Sequence, residues 1–271
     1  MDRSPTIFGI VNITEDSFSD GGRFLAPDAA IMHAKVLASN GASVLDLGAA
    51  ASNPDAKQIS SAEEIARLSP VVSALKREKL AISVDTFSSE VQRWALMQGV
   101  DYLNDIHGFQ DTELYAALAA SQTRLVVMHS MQDKGRATHV DTAPKQIVER
   151  VLKFFETRIT ALEKAGIVRA RLILDPGMGF FLGSDPQVSF EVLRNLPLLK
   201  RTFTLPILVS VSRKSFLRRI TDRAARQAGP ATLAAELFAV FQGADYIRTH
   251  DPAALTDGLA VWTAATTRNT A

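Results

Sequence analysis

The sequence predicts a (β/α)8 barrel of the TIM type, and three observations predict it. Short apolar, β-branched runs alternate with longer stretches of helical period along the chain. There are eight such runs. The length, 271 residues, is close to the ~250 that one such barrel takes.

The runs, in order, are Thr6 to Val11, Ser43 to Leu47, Ala81 to Val84, Tyr102 to Leu103, Leu125 to Met128, Leu172 to Leu174, Ile207 to Val209 and Tyr246 to Ile247. Periodicity alone does not separate runs this short from buried helix, but their flanks and spacing favour strands. Between them lie helical patterns. Pro27 to Ser39 puts Ala30, Ala34, Leu37 and Ala38 on one face. Ala62 to Lys79 does the same with Ile65, Leu68, Val72 and Leu75, and Ser61 with Glu64 reads as its capping box. Lys145 to Lys164 carries Val148, Leu152, Phe155, Ile159 and Leu162. Gly41, Gly99, Gly166 and Gly243 each follow a helical stretch and precede a strand, the place of a left-handed residue that ends a helix. Strand, helix, strand in sequence means parallel strands. An open doubly wound sheet is the alternative. It calls for a glycine-rich phosphate loop right after the first strand, whereas Gly21-Gly22 sits far into a long polar loop. No linker rich in Pro, Gly or Ser divides the chain, so one barrel over residues 1–271 is expected.

Composition narrows the function. Hydrophobic residues are 46% and charged residues 22%, which suits a large core rather than disorder. The net charge is +1 and no basic block recurs, so nucleic acid is not an expected partner. The absence of cysteine excludes disulfides, thiolate metal sites and thiol nucleophiles. Asp2, Pro5 and Asn12 interrupt what would be a signal peptide, and no run approaches the ~20 apolar residues of a membrane span. The expectation is a cytosolic protein with no membrane partner.

Reactive groups of such barrels stand at the carboxyl ends of the strands. Those positions read Asn12, Asp85, Asn104-Asp105, His129, Asp175-Pro176-Gly177, then Ser210, Ser212, Arg213 and Lys214, then Arg248 and His250, with Asp46 near the end of the second run. A capping Asp, Asn or Ser begins many helices, and Asp105 and Ser88 are read that way. So many polar ends converging on one rim call for more than capping. Asp85, Asn104 and Asp175 offer acceptors, suited to the N–H edge of a flat amino-pyrimidinone heterocycle. Lys214, Arg248 and His250 are cationic or able to become so, and suit an anion such as phosphate. A helix starting near Lys214 would add backbone donors next to Ser212.

These blocks resemble the dihydropteroate synthases. Phe8-Gly9-Ile10-Val11-Asn12-Ile13-Thr14 with Asp16-Ser17-Phe18-Ser19-Asp20-Gly21-Gly22 looks like the opening signature of that family. Ser83-Val84-Asp85-Thr86, Asn104-Asp105-Ile106, Asp175-Pro176-Gly177, Ser212-Arg213-Lys214-Ser215 and Arg248-Thr249-His250 are similar to its remaining blocks, in the same order. The resemblance implies an enzyme that joins a pterin pyrophosphate to p-aminobenzoate. It implies Asp85, Asn104, Met128, Asp175 and Lys214 at the pterin, with Asp85, Asp175 and Lys214 as the catalytic set. Asn12, Arg248 and His250 belong to the pyrophosphate, and Asn12 helps to hold Mg2+, the implied cofactor. Ser212, Ser52, Phe180 and Phe181 fall at the p-aminobenzoate pocket, over which the loops after strands one and two close. A homodimer through the later helices is also implied, with Leu233, Leu237, Val240, Phe241, Leu259 and Trp262 as its candidate face.

Two segments depart from the family pattern. Asn53 stands where a Thr-Arg-Pro block usually has arginine, and Met178-Gly179-Phe180-Phe181-Leu182-Gly183 replaces a shorter Phe-Gly-Phe-Gly segment. Both departures resemble the divergent branch that includes acquired sulfonamide-resistance enzymes, so Phe180 or Phe181 is expected to disfavour bulky sulfonamides. Two alternatives stay open. A methyltetrahydrofolate–corrinoid methyltransferase would not need the Ser-Arg-Lys-Ser and Arg-Thr-His groups. A non-catalytic pterin-binding protein would have lost an Asp or Lys of the rim. His33, His107, His129 and His139 lack carboxylates at ligand spacing and do not make a zinc site.

Overall fold

A computed structural model describes residues 4–13, 27–50, 59–131 and 143–266. Its strands are β1 Thr6–Asn12, β2 Val44–Gly48, β3 Ile82–Asp85, β4 Tyr102–Asp105, β5 Arg124–Met128, β6 Leu172–Asp175, β7 Leu208–Val209 and β8 Tyr246–Thr249. They pair in parallel in the order β6-β5-β4-β3-β2-β1-β8-β7. A bridge between Leu174 and Ile207 joins the two ends, so the sheet closes into a TIM barrel. The helices are α1 Pro27–Ser39, α2 Ser61–Arg77, α3 Ser89–Gln98, α4 Tyr115–Ala120, α5 Pro144–Lys164, α6 Pro186–Arg194, α7 Leu196–Phe203, α8 Ser215–Thr221, α9 Gly229–Phe241 and α10 Pro252–Thr266. Among the described residues, no helix is long and apolar enough to cross a membrane.

Closure buries both faces of every strand, so alternate residues point into the barrel and out beneath the helices. The outward set, with the helix faces, makes the main core, including Val11, Leu45, Leu47, Val84, Leu103, Leu125 and Leu174. The inward set starts as an apolar plug of Phe8, Val44, Val126, Ile173, Leu208 and Tyr246. At the amino end the Arg124 guanidinium lies 5.7 Å from the ring centroids of both Tyr102 and Tyr246, which closes the floor. Two residues further along most strands the inward position is polar, as at Asp46, Ser83, Asn104, Asp175, Ser210 and Arg248, and Asp85 is the next inward position after Ser83. The same period that fills the floor therefore lines the mouth with charge.

Differences from the sequence reading lie at element ends. Most strands run a residue or two beyond the apolar run, because ladder hydrogen bonds belong to the backbone and are indifferent to a polar side chain. β7 is shorter, with Ile207 making only the closing bridge. The cap of α2 is Ser60, which accepts from the Glu63 amide at 3.1 Å, so the capping box placed at Ser61 and Glu64 is corrected. Ser61 instead meets Ser88, and Glu64 is buried. Gly41, Gly99, Gly166 and Gly243 all adopt positive φ as predicted.

Candidate active site

Asp175 ends β6 and is 2% exposed. Its Oδ1 accepts from the Gly177 amide at 2.8 Å. Gly177 has φ 74°, and a Cβ there would lie 2.3 Å from the His129 carbonyl oxygen. Only glycine allows the turn that aims Asp175 at the mouth. Asp85 ends β3 directly opposite Asn104 in the β3–β4 register. Asn104 is buried, and its Oδ1 has no hydrogen-bond partner among the described residues. Such an atom is costly unless something donates to it.

Lys214 caps α8, with Nζ 4.9 Å from the Phe181 ring centroid. Phe181 packs with Ile106 and Met128 into a small apolar cluster, against which Phe87 and Phe180 lie. This cluster is the flat, greasy wall of the mouth, and the acids are its polar wall.

Arg248 reaches in from β8. Its Nε donates to Asp46 Oδ2 at 2.5 Å and its Nη2 to Asp85 Oδ2 at 2.6 Å. The acidic and basic groups of the rim therefore meet at Arg248, whose guanidinium sits among the acids rather than apart from them. Asp46, fully buried, lies near the end of the second run, where the sequence reading gives it no role. The available signal was a carboxylate between Leu45 and Leu47 in an otherwise apolar strand.

Burial governs the protonation states. It pushes Asp85 up to about 7, against the opposing pull of Arg248. It pushes Asp175 up to about 6, against the Gly177 amide hydrogen bond. It lowers Lys214 to about 8, with the like charge of Arg248 acting in the same direction. Burial also works against the charge of Arg248, but Asp46 and Asp85 overcome it and hold the guanidinium firmly protonated.

His250 departs from its expected cationic role. Burial, with Arg213, Arg248 and Lys214 nearby, depresses it to about 3, so it is a neutral imidazole. Its Nδ1 lies 2.9 Å from Ser212 Oγ, which also accepts from the His250 amide at 3.2 Å. The Ser212 hydroxyl, expected at the p-aminobenzoate pocket, is thus engaged with His250. Ser215 is the hydroxyl that faces the turn over Gly179–Phe181, since a Cβ on Gly179 would lie 3.1 Å from its Oγ. Asn12 ends β1 and is exposed, and a Cβ on Gly48 would lie 4.0 Å from Asn12 Oδ1 and 3.9 Å from Asp85 Cβ. Ser88 caps α3, accepting from the Val91 amide, whereas Asp105 begins no helix and accepts from the His107 and Phe109 amides of the loop after β4, which corrects its reading as a helix cap. His129 is buried against Phe154 and the Pro176 carbonyl. Ser52, Asn53, His139 and most of the loops after β1 and β2 lie outside the described residues. Among the described residues no group of three or more His, Asp or Glu could hold a metal ion. Asn12 could contribute one neutral oxygen, enough for a magnesium ion that takes its other ligands from phosphate and water.

A barrel whose mouth joins buried acids and an unsatisfied amide to an apolar wall defines a site for a flat, hydrogen-bonding heterocycle, and residues 8–250 match the family model described as pterin binding enzyme. The chain belongs to that family and, within it, to the dihydropteroate synthases, transferases of folate biosynthesis. It is 56% identical to the dihydropteroate synthase type-2 of Escherichia coli, over 96% of each chain. It is 52% identical to the type-3 enzyme of the same organism, over 94% of this chain and 97% of that one. A solved structure of Xanthomonas albilineans dihydropteroate synthase with 4-aminobenzoic acid superposes with a TM-score of 0.88 at 37% identity, covering 98% of this chain and 94% of that one. The type-2 and type-3 relatives agree with the branch to which the two departing segments pointed.

Proposed function

We propose that this chain condenses 6-hydroxymethyl-7,8-dihydropterin pyrophosphate with p-aminobenzoate, and that the pterin lies between the acids and the Met128 wall. The observation that carries the assignment is the buried, unpartnered Asn104 Oδ1 beside Asp85 on one rim with Asp175. Those acceptors match the N–H edge of the ring, and Lys214 donates to its carbonyl side. Met128 packs on the ring face. Arg248, His250 and Asn12 attend the pyrophosphate, with neutral His250 acting as a hydrogen-bond donor rather than a counter-charge.

The chemistry follows from the charges. The carbon–oxygen bond to pyrophosphate breaks with both electrons leaving on oxygen, and the pterin methylene is left cationic. Ionised Asp85 and Asp175 stabilise that cation in a site of low dielectric. The arylamine nitrogen then forms the new bond and gives its proton to water, so no strong base is needed. Mg2+, when bound with Asn12, would neutralise charge on the departing pyrophosphate. Phe181, 6% exposed and packed against Lys214, and Phe180 narrow the p-aminobenzoate side. That narrowing supports tolerance of sulfonamides, a selectivity built on steric exclusion. Of the candidate dimer face, Val240 lies in the core and Leu233, Leu237 and Leu259 pack against it; what supports a homodimer is Phe241, 60% exposed and packed on Trp262, with Val261 71% exposed, which sedimentation would test.

The deciding experiment mixes purified protein with the pterin pyrophosphate, p-aminobenzoate and Mg2+ and follows pyrophosphate. Release dependent on all three supports the assignment. Folded protein that releases none would overturn it.

A further inference from the structure

The two carboxylates that hold Arg248 stand at different depths. Asp46 pairs across the sheet with Ser83, and Asp85, two residues further along β3, pairs with Asn104. Inward positions on a strand are two residues apart, so Asp46 lies one inward step below Asp85. Their exposure agrees: the Asp46 side chain is 0% exposed and that of Asp85 22%. Asp46 gives Oδ2 to Arg248 Nε, and its Oδ1 has no hydrogen-bond partner among the described residues. No other ion pair of Asp46 occurs among those residues.

Asp85 is asked to do two things. Its Oδ2 holds Arg248 Nη2, and in the proposed function it also receives the substrate ring. Held by Asp85 alone, the guanidinium would move whenever the ring claimed that carboxylate. A second carboxylate, deeper and out of the ring's reach, removes the conflict. We infer that Asp46 is a positioning residue that anchors the Arg248 guanidinium through Nε, so that Asp85 can turn to the pterin while the cation keeps its place for the pyrophosphate. This inference rests on the proposed function. The pairing also accounts for a carboxylate on the floor side of the mouth, since a buried charge is tolerated only when paired and hydrogen-bonded. It makes the Arg–Asp contact at Nε one of position, while that at Nη2 is exchangeable.

The test is a double-mutant cycle of Asp46→Asn and Arg248→Gln, read as steady-state pyrophosphate release with each substrate varied. Asp46→Asn is expected to lower kcat/KM for the pterin pyrophosphate on the order of 10²-fold, the effect of misplacing a substrate-binding group. Its KM for the pterin pyrophosphate rises, while KM for p-aminobenzoate stays within about twofold. A merely structural lesion would instead lower the active fraction and leave both KM values alone. In the Arg248→Gln background, adding Asp46→Asn is expected to change kcat/KM by about twofold or less, because the group it positions is gone. If Asp46→Asn alone does not fold, the comparison of Arg248→Gln with the double variant, in which the Asp46 carboxylate that Arg248→Gln strips of its cation is neutral, still decides. A further large loss in the double variant, or an Asp46→Asn protein with unchanged KM for the pterin pyrophosphate, overturns the inference. Wild-type protein that releases no pyrophosphate overturns the proposed function itself, a separate outcome.

Discussion

Replacing Glu236 by glutamine is expected to stabilise the protein, and by an amount that grows with pH. Glu236 lies on α9, 2% exposed, with Oε1 lacking a hydrogen-bond partner among the described residues. Burial raises it to about 8, against a hydrogen bond from Thr249 and with repulsion from Asp251 adding to the rise. The folded state therefore keeps its proton where the unfolded chain, near its ordinary 4.5, has lost it. Stability from such a group is fully present below the unfolded value and is lost as pH rises through the folded one. The interval spans about 3.5 pH units, each worth ~1.4 kcal/mol, so wild type forfeits on the order of 5 kcal/mol by the time pH passes 8. Glutamine fills the same space, cannot ionise and forfeits nothing. Urea unfolding of both proteins from about pH 5 to about pH 9 reads the difference directly, since every other titrating group cancels. The gap is expected to open by several kcal/mol. A gap constant to within ~0.5 kcal/mol across that range would mean that Glu236 is ionised in the folded protein, and would refute the reasoning from burial.

Three further outcomes are expected. The cation-stabilising carboxylates must be ionised, so kcat/KM for pyrophosphate release should climb as pH rises through about 6 and about 7, where Asp175 and Asp85 titrate, and fall as Lys214 loses its proton near about 8; a profile flat between about pH 5 and pH 7 counts against both acids. Gly177→Ala places a Cβ 2.3 Å from the His129 carbonyl at φ 74° and should destabilise by ~1–3 kcal/mol, with activity falling as the hydrogen bond to Asp175 is lost; unfolding like wild type would contradict it. Deleting Phe181-Leu182 should lower the sulfonamide inhibition constant much more than KM for p-aminobenzoate, and an unchanged inhibition constant would sink the steric account.

The barrel was legible in the sequence because its cause is local. A parallel strand buried on both faces needs an unbroken apolar run, a helix over it needs a periodic face, and Gly41, Gly99, Gly166 and Gly243 mark the turns between them. The rim was legible for the same reason: Asp85, Asn104 and Asp175 follow directly on such runs, and Lys214 stands in the polar segment after Val209. Tertiary structure decided what those groups do to one another. Asp46 and Arg248 are separated by 202 positions, and only barrel closure brings β8 beside β1 and across to β2. The neutral state of His250, the engagement of Ser212 and the raised acids arise from burial and from charges on other strands. Burial and pairwise electrostatics depend on distances between remote residues, which chain order does not contain until the sheet closes.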